Sequence, residues 1–149
     1  MPKHFRHVGI VVSDLDAAVE AFRVFGFMET KRFDKVDSEQ VRRIIGVPDG
    51  ILRISILRDS ENITIELLEY LIPRTEQIRP KVNMAGVSHL ALRVEDIAGI
   101  YAKRDALGFS FLSAPVTNAD KTAVSAYVLV LDEILVEIVQ VITPAADYS

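Results

Sequence analysis

Residues 6–12 form a mainly apolar run bounded by Ser13 and Asp14, the pattern of a short strand. Ser13 or Asp14 caps a helix with Asp16 in its first turn. Ala17, Ala18, Val19, Ala21, Phe22 and Phe25 then recur at near-helical spacing until Gly26 stops the helix. A strand follows over about 27–33. Ser38 starts a short helix that Gly46 ends, and Val47-Pro48-Asp49-Gly50 reads as a turn. ILRISILR and ITIELLEY make a hairpin across Asp59-Ser60-Glu61-Asn62. The predicted order is β-α-β-β-β. Residues 71–86, with Pro73 and Pro80, read as a linker. The order then repeats: a strand over 87–94, a helix near 96–107, and strands near 109–112, 123–131 and 134–142. A tight turn at Asp132-Glu133 joins the last two.

The two halves are also related residue by residue. HVGIVVSDLDAAVEAFRVFGF, from His7, aligns without a gap on HLALRVEDIAGIYAKRDALGF, from His89. At this offset His7 meets His89, Val12 meets Val94, Asp14 meets Asp96 and Gly26 meets Gly108. Each half ends in an apolar strand holding one acid, Glu66 in ITIELLEY and Glu137 in ILVEIVQV. The second half is shorter, and the first carries the extra segment SEQVRRIIGVPDG. The expected organisation is one α+β domain spanning the chain, built as tandem βαβββ units over about 5–72 and 86–142, with a linker over about 73–85.

Composition narrows the function. The 149 residues are half apolar, enough for a core. Seventeen Lys and Arg against 21 Asp and Glu leave a net charge of −4, and the basic residues form no block. Nucleic-acid binding through phosphate contacts is therefore not expected. The chain has no cysteine, which excludes disulfides, thiolate metal sites and a cysteine nucleophile. No apolar run approaches the roughly 20 residues of a membrane span, and Met-Pro-Lys-His-Phe-Arg-His lacks an apolar signal core. The expectation is a soluble cytoplasmic protein.

Four side chains stand out. Along the last strand, Leu135, Glu137 and Val139 share one face and Ile134, Val136 and Ile138 the other. Both faces are apolar, so the strand is expected to be buried on both, as is that of Glu66. A carboxylate there needs a cationic partner or a metal. Arg53, Arg58 and Arg93 are available as partners. His7 and His89 stand at equivalent repeat positions, each with a small residue, Gly9 or Ala91, two places on along its face. Two imidazoles and two carboxylates form a nitrogen–oxygen donor set for a divalent ion, and a dication balances the charge of both acids.

HVGIVVSDLDAAVEAF, ITIELLEY, HLALRVEDI and LVEIVQ resemble the vicinal oxygen chelate superfamily of glyoxalase I, methylmalonyl-CoA epimerase, extradiol dioxygenases and bleomycin and fosfomycin resistance proteins. The resemblance covers about residues 5–142. It implies paired βαβββ units whose curved mixed sheets surround a central metal-binding cavity. It also implies that His7, Glu66, His89 and Glu137 ligate one divalent ion (Ni, Co, Zn, Mn or Fe). The His/Glu/His/Glu set resembles bacterial glyoxalase I, and epimerases place Gln or Glu at the Glu66 position. The implied reaction is that of an isomerase or lyase, proton transfer next to a carbonyl through a metal-stabilised enolate, with Glu137 as base. A small-molecule substrate and a homodimer are implied likewise.

Departures from the pattern keep other readings open. Tyr70 stands where glyoxalase I carries a glutathione-contacting Asn, and Arg53 stands where epimerases carry a catalytic Glu. Arg93 resembles the epimerase pattern; it either binds a substrate carboxylate or pairs with Glu66 or Glu137. Arg53 faces either the pocket or solvent, and the basic residues of 35–43 read as a solvated face. Arg93, Arg53 and Tyr70 are the substrate-binding candidates. The competing functions are an extradiol-type dioxygenase, which needs only two His and one carboxylate, and a non-enzymatic drug-binding protein, whose relatives lack the ligand set.

Overall fold

The run after His7 forms β1 (Val8–Val11), followed by α1 (Leu15–Arg23), β2 (Met28–Val36), α2 (Glu39–Ile45), β3 (Ile51–Arg58) and β4 (Thr64–Ile72). These elements belong to the first of two compact units of a computed structural model, Met1–Gln77 and Ile78–Ser149, in which residues 4–144 are described. Met1, Pro2 and Lys3, on which part of the leader reading falls, lie outside the described residues.

The first sheet runs β1-β4-β3-β2, with β1 parallel to β4 and the other pairs antiparallel. A parallel partner requires a crossover, and α1 lies in it. The Asp14 carboxylate accepts from the Ala17 N–H at 3.0 Å and caps the helix. Leu15, Ala18, Val19 and Phe22 of α1 are buried, as are Leu57 of β3 and Ile65 and Leu67 of β4, on which the helix packs. Each of these side chains larger than alanine contributes about 1.5–3 kcal/mol by leaving water. Ser38 caps α2 through the Val41 N–H at 3.2 Å, and Gly46 ends it at φ +71°. No residue of α2 is buried.

The second unit contains β5 (Leu90–Arg93), α3 (Ile97–Ala102), α4 (Arg104–Leu107), β6 (Phe109–Phe111), β7 (Val116–Thr117), β8 (Ala123–Val130) and β9 (Ile134–Val141). Its sheet runs β5-β9-β8-β6, with β7 on β8. The repeat extends to single hydrogen bonds. The Val12 N–H donates to Leu68 at 2.8 Å, and the equivalent Val94 N–H to Val139 at 2.9 Å. The Leu15 N–H at the start of α1 donates to Glu69 Oε2 at 3.1 Å; the equivalent Ile97 N–H donates to Gln140 Oε1 at 3.0 Å. In both halves the residue three beyond the strand acid ties down the helix that follows the histidine strand.

Three expectations are corrected and one strand is added. The strands of 6–12 and 87–94 are shorter, so His7 and His89 stand immediately before β1 and β5. The helix of 96–107 is broken at Lys103. There the Arg104 guanidinium lies 4.2 Å from the Tyr101 ring and donates to the Tyr101 carbonyl at 2.8 Å, taking an acceptor the helix ladder would use. β7 has only two residues, too few to show alternation. The loop before β9 holds three residues, not two: Val130 pairs with Ile134, and Leu131 and Asp132 take positive φ. Among the described residues no helix is long and apolar enough to cross a membrane.

Candidate metal-ligand pairs

In the first unit, parallel pairing sets Gly9 beside Glu66, so His7, two residues earlier on the same face, reaches the same acid. His7 Nε2 lies 2.8 Å from Glu66 Oε2. In the second unit Ala91 pairs with Glu137, and His89 Nε2 lies 3.4 Å from Glu137 Oε2. The structure thus brings the four predicted ligands together as two pairs, one in each unit. Among the described residues no cluster of three or more His, Cys, Asp or Glu stands close enough to hold a metal ion.

The acids are less buried than the sequence predicts. Ile65 and Leu67 of β4 are fully buried, whereas the Glu66 side chain between them is 19% exposed and that of Glu137 is 30% exposed. The reason is which face the helix covers. α1 covers the Ile65–Leu67 face of β4 and leaves the Glu66–Leu68–Tyr70 face without it. Each acid is therefore half-buried, beside an imidazole and open to a ligand.

Sequence reasoning missed Tyr127. It lies on β8 directly opposite Glu137, with its hydroxyl 3.3 Å from His89 Nε2 and its ring edge-on to the imidazole at 5.0 Å between centroids. The corresponding partner of Glu66 is Ile56, so only the second pair carries a phenol. The missing signal was the loop length. A two-residue turn at Asp132-Glu133 would set Tyr127 opposite Ile138, and the third loop residue moves it by one, onto the Glu137 face.

The substrate-binding candidates separate. Tyr70 shares the Glu66 face of β4 and is half-buried, and its N–H donates to Thr75 Oγ1 at 2.9 Å. Arg93 is exposed at the end of β5, opposite Val139. Arg53 faces the other way, neither into the Glu66 face nor free in solvent. It pairs across the sheet with Glu69 at 3.1 Å and reaches Asp16 at 3.2 Å and Asp34 at 3.4 Å. Arg32 joins it, 2.6 Å from Asp16 and 3.0 Å from Glu29, whose Oε2 also accepts from the buried Ser55 hydroxyl at 2.5 Å. The Arg32 hydrogen bond, aided by Arg53, holds the Asp16 carboxyl below its ordinary value of 3.8. Burial is the largest single influence on Arg53 and works against its charge, but Asp16, Asp34 and Glu69 together outweigh it and the guanidinium pKa is raised. Arg53 thus anchors the start of α1.

The fold recurs in solved structures. A glyoxalase family protein from Bacillus cereus superposes with a TM-score of 0.87 at 23% identity, over 96% of this chain and 97% of that one. A glyoxalase/bleomycin resistance protein/dioxygenase domain from Frankia sp. gives 0.66 at 16% identity, over 97% and 96%. The fosfomycin resistance protein FosX of Listeria monocytogenes, solved with Mn(II) and sulfate, gives 0.60 at 12% identity, over 94% and 93%. No curated protein matches the chain. The sequence model of one superfamily does match, over residues 6–127, and the chain belongs to that superfamily: glyoxalase/bleomycin resistance protein/dioxygenase.

Proposed function

We propose that the protein is a divalent-metal-dependent isomerase or lyase of the glyoxalase or epimerase type, acting on a small molecule as a cytoplasmic homodimer. The observation that carries this reading is the placing of one imidazole against one carboxylate at corresponding positions of both repeats. The donor chemistry fits a divalent ion. Ligand bonds of about 2.1 Å at right angles put neighbouring donors about 3.0 Å apart. The two pairs, at 2.8 and 3.4 Å, bracket that spacing. His7, Glu66, His89 and Glu137 would hold the ion, which when bound supplies Lewis-acid stabilisation of negative charge growing on a carbonyl oxygen.

The remaining work falls to the chain. Glu137 takes the proton from the carbon next to the carbonyl and returns it, either to the neighbouring carbon or to the opposite face. Its half-exposed position lets substrate reach Oε2, while the His89 imidazole stands beside the carboxylate and is itself in contact with the Tyr127 hydroxyl. Tyr70, on the Glu66 face, and Arg93, at the end of β5, contact substrate in this reading.

The test is metal content per chain on protein purified without chelator, then proton–deuterium exchange of hemithioacetals and acyl-thioesters followed by NMR. About one divalent ion per chain is expected. Glu137→Gln is expected to lower exchange by at least about 100-fold, the usual contribution of a general base. Metal-loaded protein that exchanges no such proton refutes the reaction. Protein that binds no ion refutes the site and favours a metal-free binding protein of the same fold.

A further inference from the structure

We infer that the cleft beside the His7–Glu66 pair recognises an anionic group on the substrate, a carboxylate or a phosphate, through Arg6, Lys31 and Arg58. The inference deepens the function proposed above, resting on it only for which face the substrate enters.

The cleft lies wholly in the first unit and has a volume of about 380 Å³, room for a small molecule. Strand register lays out its floor. Lys31 of β2 pairs with Ile56 of β3, which pairs with Glu66 of β4, so the three form one row across the sheet. Arg58 and Thr64 form the next row. Arg6 precedes His7 and lines the same cleft. Three cations therefore surround a single acid in a chain whose net charge is −4.

The two faces of this sheet treat their cations differently. On the α1 face, Arg32 and Arg53 are each shared among several carboxylates. On the cleft face, no carboxylate among the described residues lies within ion-pairing distance of Arg6, Lys31 or Arg58, and Glu66 is taken by His7. Like charges gathered without counter-charges repel, and an anion placed between them relieves that repulsion. Lys31 is steadied 4.8 Å above the Phe33 ring, which also gives the cleft an apolar wall. Strands about 4.8 Å apart put Lys31 and Glu66 about 10 Å apart at Cα. An anionic group held by Lys31 thus stands well apart from the Glu66 carboxylate.

The test is a titration of isotope-labelled protein, as purified, with inorganic pyrophosphate and separately with succinate, followed by backbone NMR. Saturable shifts at Phe33, Ile56 and Thr64 are expected with at least one of them, and the one that binds identifies the source of the charge. Lys31→Gln combined with Arg58→Gln is expected to weaken binding at least about tenfold, as loss of charge-assisted hydrogen bonds requires. Arg43→Gln, on exposed α2, is expected to leave it unchanged. Repeating the titration in Glu137→Gln separates this inference from the metal reading, because binding at Lys31 and Arg58 survives there. The inference is overturned if neither anion saturates, or if the double variant binds like the parent protein.

Discussion

Removing the Glu69 side chain is expected to cost more than removing its repeat counterpart Gln140, although both cap a helix in the same way. In Glu69→Ala the Leu15 N–H loses its acceptor at 3.1 Å, and Arg53 loses one of its three carboxylates. An unsatisfied, part-buried N–H costs about 1–2 kcal/mol. The ion pair adds about 1 kcal/mol, since both side chains are mostly buried, at 21% and 16% exposed, and Asp16 and Asp34 remain to hold Arg53. The expected loss is roughly 2–3 kcal/mol. In Gln140→Ala only the Ile97 bond at 3.0 Å is lost, for roughly 1–2 kcal/mol. Urea unfolding followed by circular dichroism at neutral pH measures both, with the slope checked for constancy. Two variants equal within about 0.5 kcal/mol would show that the Arg53 network adds nothing. Losses below that value in both would refute the anchoring role itself.

Further outcomes follow from other contacts. The chain has four tyrosines and no tryptophan, so its intrinsic emission is tyrosine emission; cobalt(II) bound at His89 and Glu137 should quench it, and Tyr127→Phe should remove most of that quench. An undiminished quench would place the ion away from β8. The lowered Asp16 pKa stabilises the fold above the ordinary carboxylate value of 3.8, and this contribution is lost as pH falls through the lower folded value. Asp16→Asn should therefore flatten the acid limb of a stability–pH curve below about pH 4, and an unchanged limb would count against the network. Gly108→Ala should cost about 1 kcal/mol or more, because φ is +70° there and a Cβ would lie 3.1 Å from Leu131. A neutral result in thermal unfolding would show that the loop relaxes freely.

Much of the molecule was decided by pattern alone. The duplication is visible because both copies of a unit answer to the same helix cap, the same strand period and the same acid in the last strand. Asp14 and Asp96 cap their helices through the N–H three residues on, as their shared position requires. The repeat singled out both histidines and both acids, and the parallel register of β1 on β4 and of β5 on β9 then set one of each side by side. Tertiary structure decided what depends on which face a helix covers and on where a loop ends. Alternation alone left Arg53 open to either the pocket or solvent. Packing of α1 on β4 put it with Glu69 and Asp16, away from Glu66. Tyr127 reached His89 because one more residue in a loop moves a strand's side chains to the other face. The three cations beside Glu66 come from three separate segments, which only the sheet order β1-β4-β3-β2 brings to one cleft.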